Sequence, residues 1–132
     1  MFRRRRLPQE LVGPQRAFAE LIPSLERAKA ALLSSVPGTR LPGRPLAETL
    51  LTFEEELAIV RAGMRPWRAP ALEDVWVSAS SGLDDALALA GRVRVEPPDL
   101  AGFEGLIGLI GELLSPLETF AAAAERFRDL RR

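Results

Sequence analysis

The chain has no cysteine, histidine, tyrosine or asparagine, and Lys29 is its one lysine beside seventeen arginines. Without Cys or His it cannot build a disulfide framework, a zinc finger, a haem ligand, a Ser-His-Asp or Cys-His nucleophile, or a Glu-x-x-His di-iron pair. Any metal site would have to be all oxygen. Net charge is lacking too, since 18 basic side chains face 18 acidic ones, whereas a dedicated nucleic-acid-binding domain is usually basic. The longest apolar-looking stretch, Leu100 to Ala124, carries Glu104, Glu112 and Glu118. Each is costly at bilayer depth, which argues against a transmembrane segment. The opening residues hold the cluster Arg3, Arg4, Arg5 and Arg6 without the apolar run of a signal peptide, so a cytoplasmic location is expected.

What is present fits one ordinary globular domain, residues 1–132, with residues 1–7 expected as a flexible arginine-rich tail. The length of 132 residues, with 47% apolar and 27% charged side chains, suffices for a single buried core. Prolines and glycines divide the chain at three places: Pro37 to Pro45, Gly63 to Pro70, and Val95 to Pro98. Three prolines without an N–H donor and two turn-favouring glycines make the first of these a loop.

Between the breaks, apolar residues recur at the 3,4 spacing of a helix buried on one face. The first segment carries Leu11, Phe18, Leu21, Leu25, Ala28 and Leu32, with Pro14 and Pro23 starting or kinking it. The second carries Leu46, Leu50, Phe53, Leu57, Val60 and Met64; the third carries Leu72, Trp76, Ala79, Leu83, Ala86, Ala90 and Val93. The fourth keeps a heptad, with Phe103, Ile110, Leu117 and Ala124 at one position and Leu106, Leu113, Phe120 and Phe127 at the other. Glu73 and Asp74 suit the positive end of the third helix, Asp99 is placed to cap the fourth, and Ser115-Pro116-Leu117-Glu118 reads as a second capping box. Because the heptad crosses Pro116 in register, a kink is expected there. The fold predicted is all-α, an antiparallel up-down-up-down four-helix bundle with a proline-kinked first and fourth helix. The rival is a small sheet around Val75 and Val93.

That topology would gather arginine at one pole: Arg3, Arg4, Arg5, Arg6, Arg61, Arg65, Arg68, Arg126, Arg128, Arg131 and Arg132, against Glu10, Glu73, Asp74, Glu125 and Asp129. With Trp67 as a stacking or interfacial anchor, the pole becomes a candidate binder of anionic surfaces, nucleic acid or acidic membrane. The same arginines also stand where helix dipoles favour them, and a solvated tail needs no ligand.

Catalysis has little to draw on. Glu54-Glu55-Glu56 and Asp84-Asp85 are sequence neighbours that point about 100° apart on a helix, so they do not converge on one ion. No Glu-x-x-Glu occurs, the motif of the helical magnesium-dependent nucleotide pyrophosphatases. Ser78-Ala79-Ser80-Ser81-Gly82 lacks both a nucleophile elbow and a base, and reads as small residues allowing close helix packing. No catalytic, cofactor-binding or metal residue is assigned, and none of these functions is expected. Gly102, Gly105, Gly108 and Gly111 recur every third residue in the fourth helix, at a cost of about 1 kcal/mol each relative to alanine. Close approach of a partner helix would offset that cost. Leu33, Leu51, Ile59, Leu87, Leu89, Ile107 and Leu114 widen the apolar faces beyond the main stripes. The expected function is a non-catalytic interaction or self-assembly module, a homodimer using Gly102, Gly105, Gly108, Gly111, Ile107 and Leu114.

Overall fold

A computed structural model describes residues 6–38 and 42–131. Among these residues the protein is all-helical, without strands. Helix α1 spans Gln9–Leu33, α2 Leu46–Ala62, α3 Glu73–Val95, α4 Gly102–Leu114 and α5 Thr119–Asp129. Short 3-10 turns occupy Arg65–Trp67, Pro70–Leu72 and Ser115–Glu118, so α4 and α5 form one helical segment divided at Pro116. The alternative sheet is ruled out for its two expected strands, because Val75 and Val93 both lie in α3. The tail residues 1–5 lie outside the described residues, as do residues 39–41 of the first loop.

The stripes become the core. Leu11, Phe18, Leu21, Leu25, Ala28 and Leu32 of α1 are buried, as are Leu50, Phe53, Leu57 and Val60 of α2 and Ala79, Leu83, Ala86, Ala90 and Val93 of α3. Pro14 and Pro23 are interior to α1, since the helix starts at Gln9. In the fourth segment burial begins only at Leu109 and then continues through Ile110, Leu113, Leu117, Phe120, Ala123 and Phe127. Phe103 departs from the heptad expectation. It is 57% exposed, while Leu106, one turn later, is half-buried against the core.

Cross-links fix which parts of the segments are neighbours. Arg27 of α1 donates to Glu56 of α2 at 3.1 Å, and Gly63 after α2 lies against Leu21. Arg94 donates to Glu54 at 2.7 Å and Arg61 to Asp84 at 3.0 Å, so residue numbers rise along α2 as they fall along α3. Arg126 binds Asp74 while Gly82 lies against Pro116, giving α3 and the fourth segment the same inverse order. The Glu54–Glu56 run thus pairs α2 with both neighbouring helices. Two residues along a helix turn the direction by about 200°, which sends Glu54 to α3 and Glu56 to α1 while Glu55 stays exposed. Gly82 bears out the close-packing reading of the serine-rich patch: a Cβ there would collide with the Pro116 carbonyl oxygen.

Two expected caps are absent. Residues 96–101 lie outside any helix, and the turn into α4 is made by Gly102 at φ +67°. The first helical residue thus comes three positions after Asp99, and α4 has no side-chain cap. Ser115 enters the 3-10 turn as its first residue instead of capping it, and Thr119 Oγ1 donates to the Pro116 carbonyl at 2.9 Å.

Candidate interaction surface

The arginine-rich end is organised around two tryptophans. Trp67 is 0% exposed, although it lies between Arg65 and Arg68 in a proline-bounded turn. Its ring meets Phe18 edge-on, with centroids 5.0 Å apart, and lies 6.4 Å from Phe120, Phe127 and Trp76. The expectation of Trp67 as a surface anchor is therefore corrected. It is a core residue held by rings from α1 and α5, and its Nε1 has no hydrogen-bond partner among the described residues. Trp76 is half-buried, donates from Nε1 to the Met64 carbonyl at 2.7 Å, and carries the Arg68 guanidinium 4.3 Å from its ring centroid.

Three pole arginines are engaged with α3. Arg61 pairs with Asp84, Arg68 grips both carboxylate oxygens of Glu73, and Arg126 spans both oxygens of Asp74 at 2.8 and 2.7 Å while donating to the Ala71 carbonyl. Hydrogen bonds from these guanidinium groups hold the Glu73 and Asp74 carboxyls below the usual carboxylate range, and Glu54 raises Arg94 in the same way. Arg128 approaches Glu125 at 4.0 Å. Arg6, Arg65 and Arg131 are exposed and make no ion pair among the described residues, while Arg3, Arg4, Arg5 and Arg132 lie outside them. Arg61, Arg68 and Arg126 are thus engaged within the fold.

At α4 the geometry is different. The extended 96–101 linker folds back so that a Cβ on Gly105 would lie 3.3 Å from the Leu100 backbone. This leaves an open groove of about 850 Å³ between α3 and α4. Leu87, Leu89, Val93, Val95, Leu100 and Leu109 supply its apolar lining, with Gly91, Gly105 and Gly108 adding no side chains. Arg92, Arg94, Glu96 and Glu112 are its charged residues.

The six residues expected to form one association face are divided. Gly105 and Gly108 line the groove. Ile107, 43% exposed, lies beside Phe103 and half-buried Leu114 on the opposite flank of α4. A rotation of about 100° per residue separates the two flanks. Gly111 is exposed with nothing near its missing Cβ, and Gly102 makes the entry turn. Of the apolar surplus, Leu33, Leu51 and Ile59 are exposed, whereas Leu87 and Leu89 reach the groove as half-buried walls. The groove itself was missed by sequence reasoning, since it depends on how α3 and α4 splay; the signal available was Leu87 and Leu89 together with Pro97-Pro98.

No group of three or more acidic side chains converges among the described residues. Gly102–Asp129, taken as one 28-residue stretch, is long and apolar enough by length and composition to cross a membrane, with 33% of its apolar window buried. Compared with known proteins, the chain matches no family model, no curated protein and no solved structure.

Proposed function

We propose that the chain is a non-catalytic helical-bundle module for protein–protein interaction, with self-association as its principal mode and the α3–α4 groove as its contact surface. One observation carries this reading: an open groove of about 850 Å³ beside an α4 whose first two turns leave Phe103 and Ile107 exposed. A partner seated there would cover Val95, which is 72% exposed at the groove's end, and the half-buried Leu87, Leu89 and Leu100. Helical glycines such as Gly108 cost stability in the single chain and permit close approach of a second helix.

The up-down-up-down arrangement, with kinks at Pro14, Pro23 and Pro116, is part of the same reading. It is supported by the inverse order of the Arg94–Glu54 and Arg61–Asp84 pairs and of the Arg126–Asp74 and Gly82–Pro116 contacts. A location outside the bilayer goes with it, because a spanning Gly102–Asp129 would withdraw Leu109, Ile110, Leu113, Leu117 and Phe120 from the core. The alternative, an anion-surface binder at the arginine pole, has less support now that Trp67 is buried and Arg61, Arg68 and Arg126 are bonded to carboxylates.

The test is light scattering on the full chain over a range of concentrations, beside Gly108→Leu. Nothing lies within 4 Å of a Cβ at position 108, and circular dichroism checks that the variant is folded. Association by the parent chain that Gly108→Leu abolishes supports the reading. A parent chain that stays monomeric at every concentration refutes it.

A further inference from the structure

Polar ties between helices stop short of α4. Arg27 joins α1 to α2, Arg61 and Arg94 join α2 to α3, and Arg126 joins α5 to α3. Among the described residues, no side chain of Gly102–Leu114 makes an ion pair or a hydrogen bond. The hold of α4 on α3 and α1 is apolar: Leu109, Ile110 and Leu113 are buried, and Leu106 and Leu114 are half-buried against the core.

The helix is also weak in itself. Gly105, Gly108 and Gly111 each lower helix stability about fivefold relative to alanine. At positions 108 and 111 nothing lies within 4 Å of an added Cβ, so packing within the chain does not call for glycine there. No side chain caps the start of α4. Both of its ends are breaks. Residues 96–101 lie outside any helix and Gly102 turns at φ +67°, while Pro116 has no N–H to carry helical bonding from α4 into the 3-10 turn. Beyond that break the chain is held again, because Leu117 is buried, Pro116 lies against Gly82, and Phe120, Phe127 and Arg126 fix α5.

We infer that α4 is a hinged lid: it opens as one unit, between residues 96–101 and the Pro116 turn, while α1, α2, α3 and α5 stay folded. Segments with few ties to the rest of a fold open at lower free energy than the whole. Opening α4 brings Leu109, Ile110 and Leu113 into water, whereas global unfolding must also expose Phe53, Leu57, Trp67 and Leu83. The opening removes one wall of the α3–α4 groove and so controls the shape of that surface. It is a property of the single chain and requires no partner.

Native-state amide exchange tests it on the full chain, at a concentration too low for association and in urea below the unfolding transition. Two variants accompany the parent, Val60→Ala and the double variant Gly108→Ala, Gly111→Ala, and circular dichroism checks that both are folded. The amides of residues 106–113 are expected to share one protection factor, about tenfold or more below that of the most protected amides of α1–α3, with a weaker dependence on urea. Val60 is buried in α2 and stays so when α4 opens, so its truncation is expected to lower protection in α1–α3 about tenfold and leave that of α4 as in the parent. The two alanines are expected to raise protection of α4 about tenfold or more. Protection of residues 106–113 that equals that of α1–α3, or falls with it in Val60→Ala, overturns the lid. So does protection that merely climbs from residue 106 to residue 113, the pattern of a fraying helix end, or protection that the two alanines leave unchanged. None of these outcomes depends on self-association, so the lid and the association reading stand or fall separately.

Discussion

The edge of one ring meets the face of another where Phe18 and Trp67 pack, centroids 5.0 Å apart and planes inclined at 71°. Phe18 belongs to α1 and Trp67 to the 3-10 turn after α2, and Phe120 and Phe127 of α5 close around them. The turn joining α2 to α3 is thereby tied to both the first and the last segments of the chain.

Replacing Trp67 should consequently act on stability and not on surface binding. Trp67→Ala empties a fully buried aromatic site and is expected to cost about 3–5 kcal/mol. Trp67→Phe should cost less, because the lost Nε1–H has no hydrogen-bond partner among the described residues. Urea unfolding of the two variants against the parent checks the order. Equal, negligible losses would place Trp67 outside the core.

Glycines in the fourth segment and in α3 should respond in opposite directions to added bulk. Gly111→Ala adds a methyl group in open space and removes a helix-weakening residue, so it is expected to stabilise the single chain by about 1 kcal/mol. Gly82→Ala drives a methyl group into the Pro116 carbonyl and is expected to destabilise by about 1–3 kcal/mol. Thermal unfolding at a concentration too low for association separates the two.

Acid should loosen the arginine-rich end. Glu73 and Asp74 have folded-state pKa values below their ordinary ones, held there by hydrogen bonds from Arg68 and Arg126. Groups shifted in this direction stabilise the fold above their unfolded-state values, near pH 4, and lose that contribution as pH falls through the folded-state values. The Glu73→Gln, Asp74→Asn double variant is therefore expected to be less stable than the parent near neutrality and to converge with it in strong acid. Both pairs are solvent-exposed, so the difference should be small and should shrink in high salt. Unfolding midpoints measured from neutral to acid pH check both features.

The helices and most of the core were legible because apolar spacing near 3.6 residues has one structural solution. Leu50, Phe53, Leu57 and Val60 can share a face only in a helix, and all four are buried. Trp67 was not legible. Its neighbours, Arg65, Pro66 and Arg68, specify a polar turn, and its burial is decided by Phe18, Phe120 and Phe127, which are distant in sequence. Nor could Asp99 be excluded as a cap, since the left-handed Gly102 that starts α4 three residues later is not readable from spacing. Gly105 and Gly108 were visible as unusual, but only the fold separates them from Ile107 and places them in a groove with Leu87 and Leu89.

The central claim is that α4 and the groove beside it are covered by a second copy. The most direct measurement is amide hydrogen exchange across α4 of the full chain at low and at high concentration. The account predicts that protection of residues 103–109 and of the last turn of α3 rises with concentration, while that of α2 is unchanged. Exchange in α4 that is independent of concentration, or a rise confined to the arginine-rich end, would contradict it.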